Sequence, residues 1–100
     1  MTIEELTRQM HQFVQSKGWY DPYSPKKQSP RNLAASLCIE AAEVLEHFQW
    51  QDEVRNPEEL AGELADVALY LLQLASISGI NLEQAILDKL AVNKTRHWPT

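Results

Sequence analysis

The sequence predicts an all-α protein, a four-helix bundle that dimerises. Three observations carry the fold: four runs of apolar residues at helical spacing, a capping signal heading at least three of them, and no stretch that alternates with period two. With 100 residues and 44% apolar content, residues 1–100 read as a single domain, and no Gly/Ser- or Pro-rich linker divides them. So short a chain buries a small share of its surface alone, and association with another copy would bury more.

The first helix opens on Thr2 and Glu5, the two halves of a capping box. Leu6, Met10, Phe13 and Val14 then recur at helical spacing until Gly18 stops the run. Ser29 followed by Pro30 reads as an N-cap and first helical residue, opening a helix expected to reach about Gln51. Asn56-Pro57-Glu58-Glu59 repeats the signal, and the third helix runs to the neighbourhood of Gly79. Asn81 with Gln84 starts the fourth, which carries Ile86, Leu87 and Leu90 and is expected to end before Pro99. Short connections between amphipathic helices make a bundle. Residues 18–30 are the exception: Pro22, Pro25 and Pro30 with Trp19, Tyr20 and Tyr23 make a long aromatic loop, either the cover of a pocket or packing for the bundle end.

A net charge of −5 argues against a broad basic face, so a nucleic-acid polymer is not expected as a partner. An acidic protein can still hold a polyanionic small molecule if metal ions stand between the two. The single cysteine, Cys38, excludes an internal disulfide and a multi-cysteine zinc site, and reads as a small apolar residue inside a helix. No segment is expected to approach the ~20 apolar residues of a membrane span, and Glu4, Glu5, Arg8 and His11 are unlike a signal peptide. A cytoplasmic location is the expectation.

The acids are distributed unevenly. At about 100° per residue, Leu33, Leu37, Val44 and Phe48 fall on one side of Glu40, with Glu43 on its other flank and His47 between the two acids. Glu46 points further toward water. On the third helix, Leu60, Val67, Leu71 and Leu74 take the same arc beside Glu63, with Asp66 on the opposite flank. A lone E-x-x-E is usually solvated surface. Two such pairs, each abutting an apolar stripe in the same register, converge if the stripes face each other. Four close carboxylates repel unless something cationic sits among them, and oxygen ligands without Cys or clustered His favour Mg²⁺ or Mn²⁺. A di-iron bundle needs Glu-x-x-His, and Arg8, Val44 and Lys94 stand three residues before His11, His47 and His97. Mg²⁺ commonly shares its shell with substrate phosphates. Lys89, Lys94 and Arg96 near the end, and Arg31 at the start of the second helix, supply cations for phosphate.

Glu40-x-x-Glu43, nineteen residues, then Glu63-x-x-Asp66 resembles the signature of the MazG-like, all-α nucleoside triphosphate pyrophosphohydrolases. Pro30-Arg31-Asn32-Leu33 before the first pair and Glu46-His47-Phe48-Gln49-Trp50 after it extend the likeness over roughly residues 30–99, with the short dCTP-pyrophosphatase-like enzymes the nearest subgroup. The resemblance implies a homodimer or dimer of dimers, Mg²⁺ on the four acids, and hydrolysis of a (deoxy)nucleoside triphosphate to monophosphate and pyrophosphate. It implies substrate contacts at Arg31, Trp50, Tyr70, Lys89, Asn93 and Arg96; by themselves, Trp50 could pack the bundle end and Tyr70 the core. The sequence departs from the pattern before Pro30, where Lys27-Gln28-Ser29 stands in place of an aromatic-His pair, so base preference does not carry over. Glu43, on the outer flank, is the candidate to orient or deprotonate the attacking water. A different class of function stays open, a non-catalytic dimeric bundle that binds a metal-nucleotide complex or a protein partner.

Overall fold

The computed structural model describes residues 1–97. Four helices follow one another, α1 (Ile3–Ser16), α2 (Pro30–Glu46), α3 (Pro57–Ile77) and α4 (Leu82–Thr95), and no strand occurs among the described residues. The all-α fold class is as the sequence predicts.

Each helix starts where its cap predicts. The Thr2 hydroxyl accepts from the Glu5 amide at 3.0 Å, and Glu5 reciprocates on the Thr2 amide. Ser29, Asn56 and Asn81 accept the amides of Asn32, Glu59 and Gln84 at 3.2, 3.2 and 3.1 Å. α1 and α3 end alike: Gly18 and Gly79 take φ of 73° and 72°, and the next amide (Trp19, Ile80) reaches back to the carbonyl of Val14 or Ala75. That closure needs a left-handed residue, which glycine adopts without a Cβ clash.

Two boundaries differ from expectation. α2 ends at Glu46, not near Gln51. Past His47 the amides of Phe48 and Gln49 turn back to Leu45 and Glu46, and the Gln51 side-chain amide takes the His47 carbonyl that a continuing helix would have used. α4 stops at Thr95, and Pro99, its expected terminator, lies outside the described residues.

α2 and α3 make the principal pairing, stripe against stripe; α1 lies on α3, and α4 meets the rest mainly through α3. Among the described residues Met10, Val14, Leu33 and Ala75 are the buried apolar ones, Leu33 fully so. The chain alone is extended: its radius of gyration is 16.0 Å, against about 13 Å for a compact domain of this length. Its accessible surface is 7882 Å², where an 11.5 kDa monomer would expose about 5,800 Å². Ile39, Leu45, Leu64, Leu71, Leu87 and Leu90 are among the apolar side chains left outside. Cys38 lies within α2 as expected, but on an exposed flank.

One further correction concerns α3. Over 21 residues it is long and apolar enough to cross a membrane by length and composition, although the sequence reading expected no segment to approach that. One face of that helix packs on α1 and α2, Leu64, Leu69 and Leu71 stay exposed on it, and Glu63 and Asp66 sit within it, where a bilayer would penalise them.

Candidate active site

The facing stripes of α2 and α3 bring the two acid pairs together. Glu40 is half-buried, and its Oε2 is fully enclosed without a hydrogen-bond partner. Burial holds the Glu40 carboxyl above the usual carboxylate range; a hydrogen bond with Glu43 and the charges of Glu43, Asp66 and Glu63 push the same way. All four acids therefore act on one point. Glu63 repeats the enclosure: its Oε2 is buried and unpartnered, while its Oε1 lies 3.3 Å from His47 Nε2. Among the described residues no three acid, His or Cys side chains are close enough to form a ready ligand set. The charges of Glu43, Asp66 and Glu63 converge on Glu40 without closing a ligand set.

Two cavities flank the acids. One, of about 410 Å³, is mostly apolar; Met10, Phe13 and Val14 of α1, Trp19 of the loop and Leu69 and Tyr70 of α3 line it, with Asp66 at its edge. The second is an open polar depression where Glu43, His47 and Glu63 meet Trp50, Arg55 and Asn56. Trp50 and Tyr70 thus belong to different cavities. Trp50, 85% exposed, was turned outward when α2 ended early.

The aromatic loop answers both expectations. Trp19 packs edge-on against Phe13, ring centres 5.6 Å apart, while walling the apolar cavity, and Lys26 Nζ lies over the Trp19 ring, 4.1 Å from its centre. Tyr20 turns inward and Tyr23 is 95% exposed. Arg31 is exposed in the first turn of α2. Lys89 and Asn93 ride on α4, Arg96 caps its C-terminal end, and none of the three lines either cavity beside the acids. In one chain the structure gathers the four acids with Trp50 and Tyr70 on either side, and leaves the α4 residues apart.

Sequence reasoning missed Arg55, which shares the depression with Glu43 and Glu63. It also missed a polar chain behind the apolar cavity: Tyr20 Oη lies 2.5 Å from His11 Nδ1, His11 Nε2 lies 2.7 Å from Ser76 Oγ, and Gln73 Nε2 bonds both Tyr20 and Gln28. Gln73 is 3% exposed, a buried polar residue on an otherwise apolar arc.

The chain has relatives among known proteins. The MazG-like family matches residues 35–99, and the chain belongs to it. Human dCTP pyrophosphatase 1 is 31% identical over 96% of this chain and 59% of its own length. A dATP/dGTP diphosphohydrolase of cyanophage S-2L is 32% identical over 80% of this chain and 68% of its own. The crystal structure of a pyrophosphatase from Archaeoglobus fulgidus superposes with a TM-score of 0.78 at 36% identity, covering 92% of this chain and 88% of that one. The chain spans 59% of the length of the dCTP pyrophosphatases it matches.

Proposed function

We propose that this chain hydrolyses a (deoxy)nucleoside triphosphate to the monophosphate and pyrophosphate, with a divalent metal held by Glu40, Glu43, Glu63 and Asp66. The observation that carries the reading is the enclosed, unpartnered Oε2 of both Glu40 and Glu63 beside two further acids. Buried carboxylate oxygens left without donors are costly, and a hard cation is the partner that oxygen-only donors suit. Mg²⁺ supplies charge neutralisation and an activated water when bound, and Mn²⁺ can do the same.

The residues then divide the work. The Glu43 carboxylate, half-buried and lining the polar depression, accepts the proton of the attacking water. Arg55 offsets phosphate charge from the same depression. The base enters the apolar cavity and stacks on Tyr70 or Trp19, which excludes water from one end of the substrate while Asp66 marks the way to the acids. The names of the relatives, a dCTP pyrophosphatase and a dATP/dGTP diphosphohydrolase, support this substrate class.

The working form is a homodimer or dimer of dimers. The chain alone exposes some 2,000 Å² more than a compact monomer would, an area per subunit in the range of obligate interfaces. Lys89, Asn93 and Arg96, which line neither acid-flanking cavity within one chain, reach substrate in that assembly. The mid-helix acids and the packing of α3 support a bundle helix over a membrane span. Pyrophosphate release from a panel of nucleoside triphosphates, with Mg²⁺ and with chelator, tests the reading; no release from any of them refutes it.

A further inference from the structure

The orientation of the Gln73 amide is fixed by its partners. The Lys26 carbonyl can only accept, and the Gln28 side chain meets it at 2.8 Å, so Gln28 presents its Nε2 there and its Oε1 elsewhere. Gln28 Oε1 can in turn only accept, so the Gln73 atom 2.8 Å away is Nε2. The same Nε2 donates to Tyr20 Oη at 3.2 Å. Tyr20 Oη, accepting there, is also hydrogen-bonded to His11 Nδ1, whose Nε2 pairs with Ser76 Oγ, so the hydroxyl that receives the Gln73 amide is itself fixed in place. Turning either amide would place two acceptors against each other.

Both N–H groups of Gln73 are thereby committed, and Oε1 is what remains. Gln73 and Gln28 line the apolar cavity, and Gln73 is 97% buried, being 3% exposed. No described residue donates to Gln73 Oε1, and unlike the Oε2 atoms of Glu40 and Glu63 it is not fully enclosed, so a donor in the cavity can reach it and a ligand lacking an N–H leaves it unsatisfied.

We propose that Gln73 Oε1 reads the base, accepting a hydrogen bond from the exocyclic amino group on the pairing edge of cytosine or adenine, with Gln28, Tyr20 and His11 holding the amide in register. This rests on the assignment of the apolar cavity to the base. The substrate class is then a nucleoside triphosphate whose base carries such an amino group, and bases stripped of it are rejected.

The test compares kcat/KM for dCTP with the triphosphate of 2-pyrimidinone deoxyriboside, and for dATP with that of purine deoxyriboside. Each pair differs by one amino group. The wild type is expected to favour the amino-bearing member of at least one pair by about 10- to 100-fold. Gln73→Met, which keeps length but offers no amide, and Gln28→Met, which lets the Gln73 amide turn, should bring that ratio toward one. Melting curves establish that each variant is folded. Equal rates within both wild-type pairs overturn the proposal without any variant. A ratio that persists in folded Gln73→Met also overturns it, while the base cavity stands. No pyrophosphate from any nucleotide overturns both.

Discussion

Tyr20→Phe removes one oxygen atom and tests the polar chain directly. The hydroxyl serves two bonds, one with His11 Nδ1 at 2.5 Å and one from Gln73 Nε2 at 3.2 Å. Burial raises the Tyr20 pKa above its usual value, partly offset by the Gln73 bond, so the native protein holds the phenolic proton tightly. Without the hydroxyl, a ring nitrogen and an amide N–H lose their partners in a part-buried setting, a cost of about 1–3 kcal/mol. At about 4–8 °C per kcal/mol for a domain of this size, a 2 kcal/mol loss lowers Tm by roughly 8–16 °C. Tyr23→Phe is the control: Tyr23 is 95% exposed, and its change should stay within about 0.5 kcal/mol. Both are read by urea and thermal denaturation at one protein concentration, because association shifts apparent stability. A Tyr20→Phe protein as stable as Tyr23→Phe would refute the reasoning, and the loop would then be held by Trp19 on Phe13 alone.

Metal-free Glu40→Gln should be at least as stable as the wild type at neutral pH, since it removes a charge that burial and three neighbouring acids disfavour. The raised folded pKa gives Glu40 a stabilising contribution that is full below its ordinary value and lost as pH rises through the folded one. Urea melts in chelator across that interval should show a steeper decline for wild type than for Glu40→Gln. Sedimentation equilibrium at micromolar concentration should give a dimer or larger; a monomer would contradict the account of the exposed surface on α2, α3 and α4. Tyr70→Ala should raise KM and flatten the preference among bases more than Trp50→Ala, since Tyr70 shares the apolar cavity and Trp50 the polar depression. The reverse order in kcat/KM would move the base to the depression.

The fold was legible where local chemistry decides it. Thr2, Ser29, Asn56 and Asn81 cap their helices through contacts three residues away, and Gly18 and Gly79 end theirs through their own φ. The end of α2 was not, because Gln51 competes for a carbonyl by a side-chain contact that no apolar period reveals. The acids were legible for a related reason: Glu40 and Glu63 share a register against apolar stripes, and register survives into packing. The Gln28–Gln73 and His11–Ser76 bonds join residues 45 and 65 positions apart. Only the tertiary fold pairs them, and in a sequence Gln73 is one more polar residue on an apolar helix. The family resemblance implies substrate contacts at both Trp50 and Tyr70; the early end of α2 sends them to separate cavities.

The measurement closest to the central claim is pyrophosphate release by the purified protein and by Glu63→Gln, alongside Mn²⁺ binding by both. Glu63 is chosen because its Oε2 is buried without a partner and its Oε1 is held by His47. The account predicts release from a nucleoside triphosphate that requires Mg²⁺ or Mn²⁺. It predicts, for a folded Glu63→Gln protein, Mn²⁺ affinity at least ~10-fold weaker and turnover lost with it. Wild-type turnover and Mn²⁺ affinity retained in Glu63→Gln would contradict it.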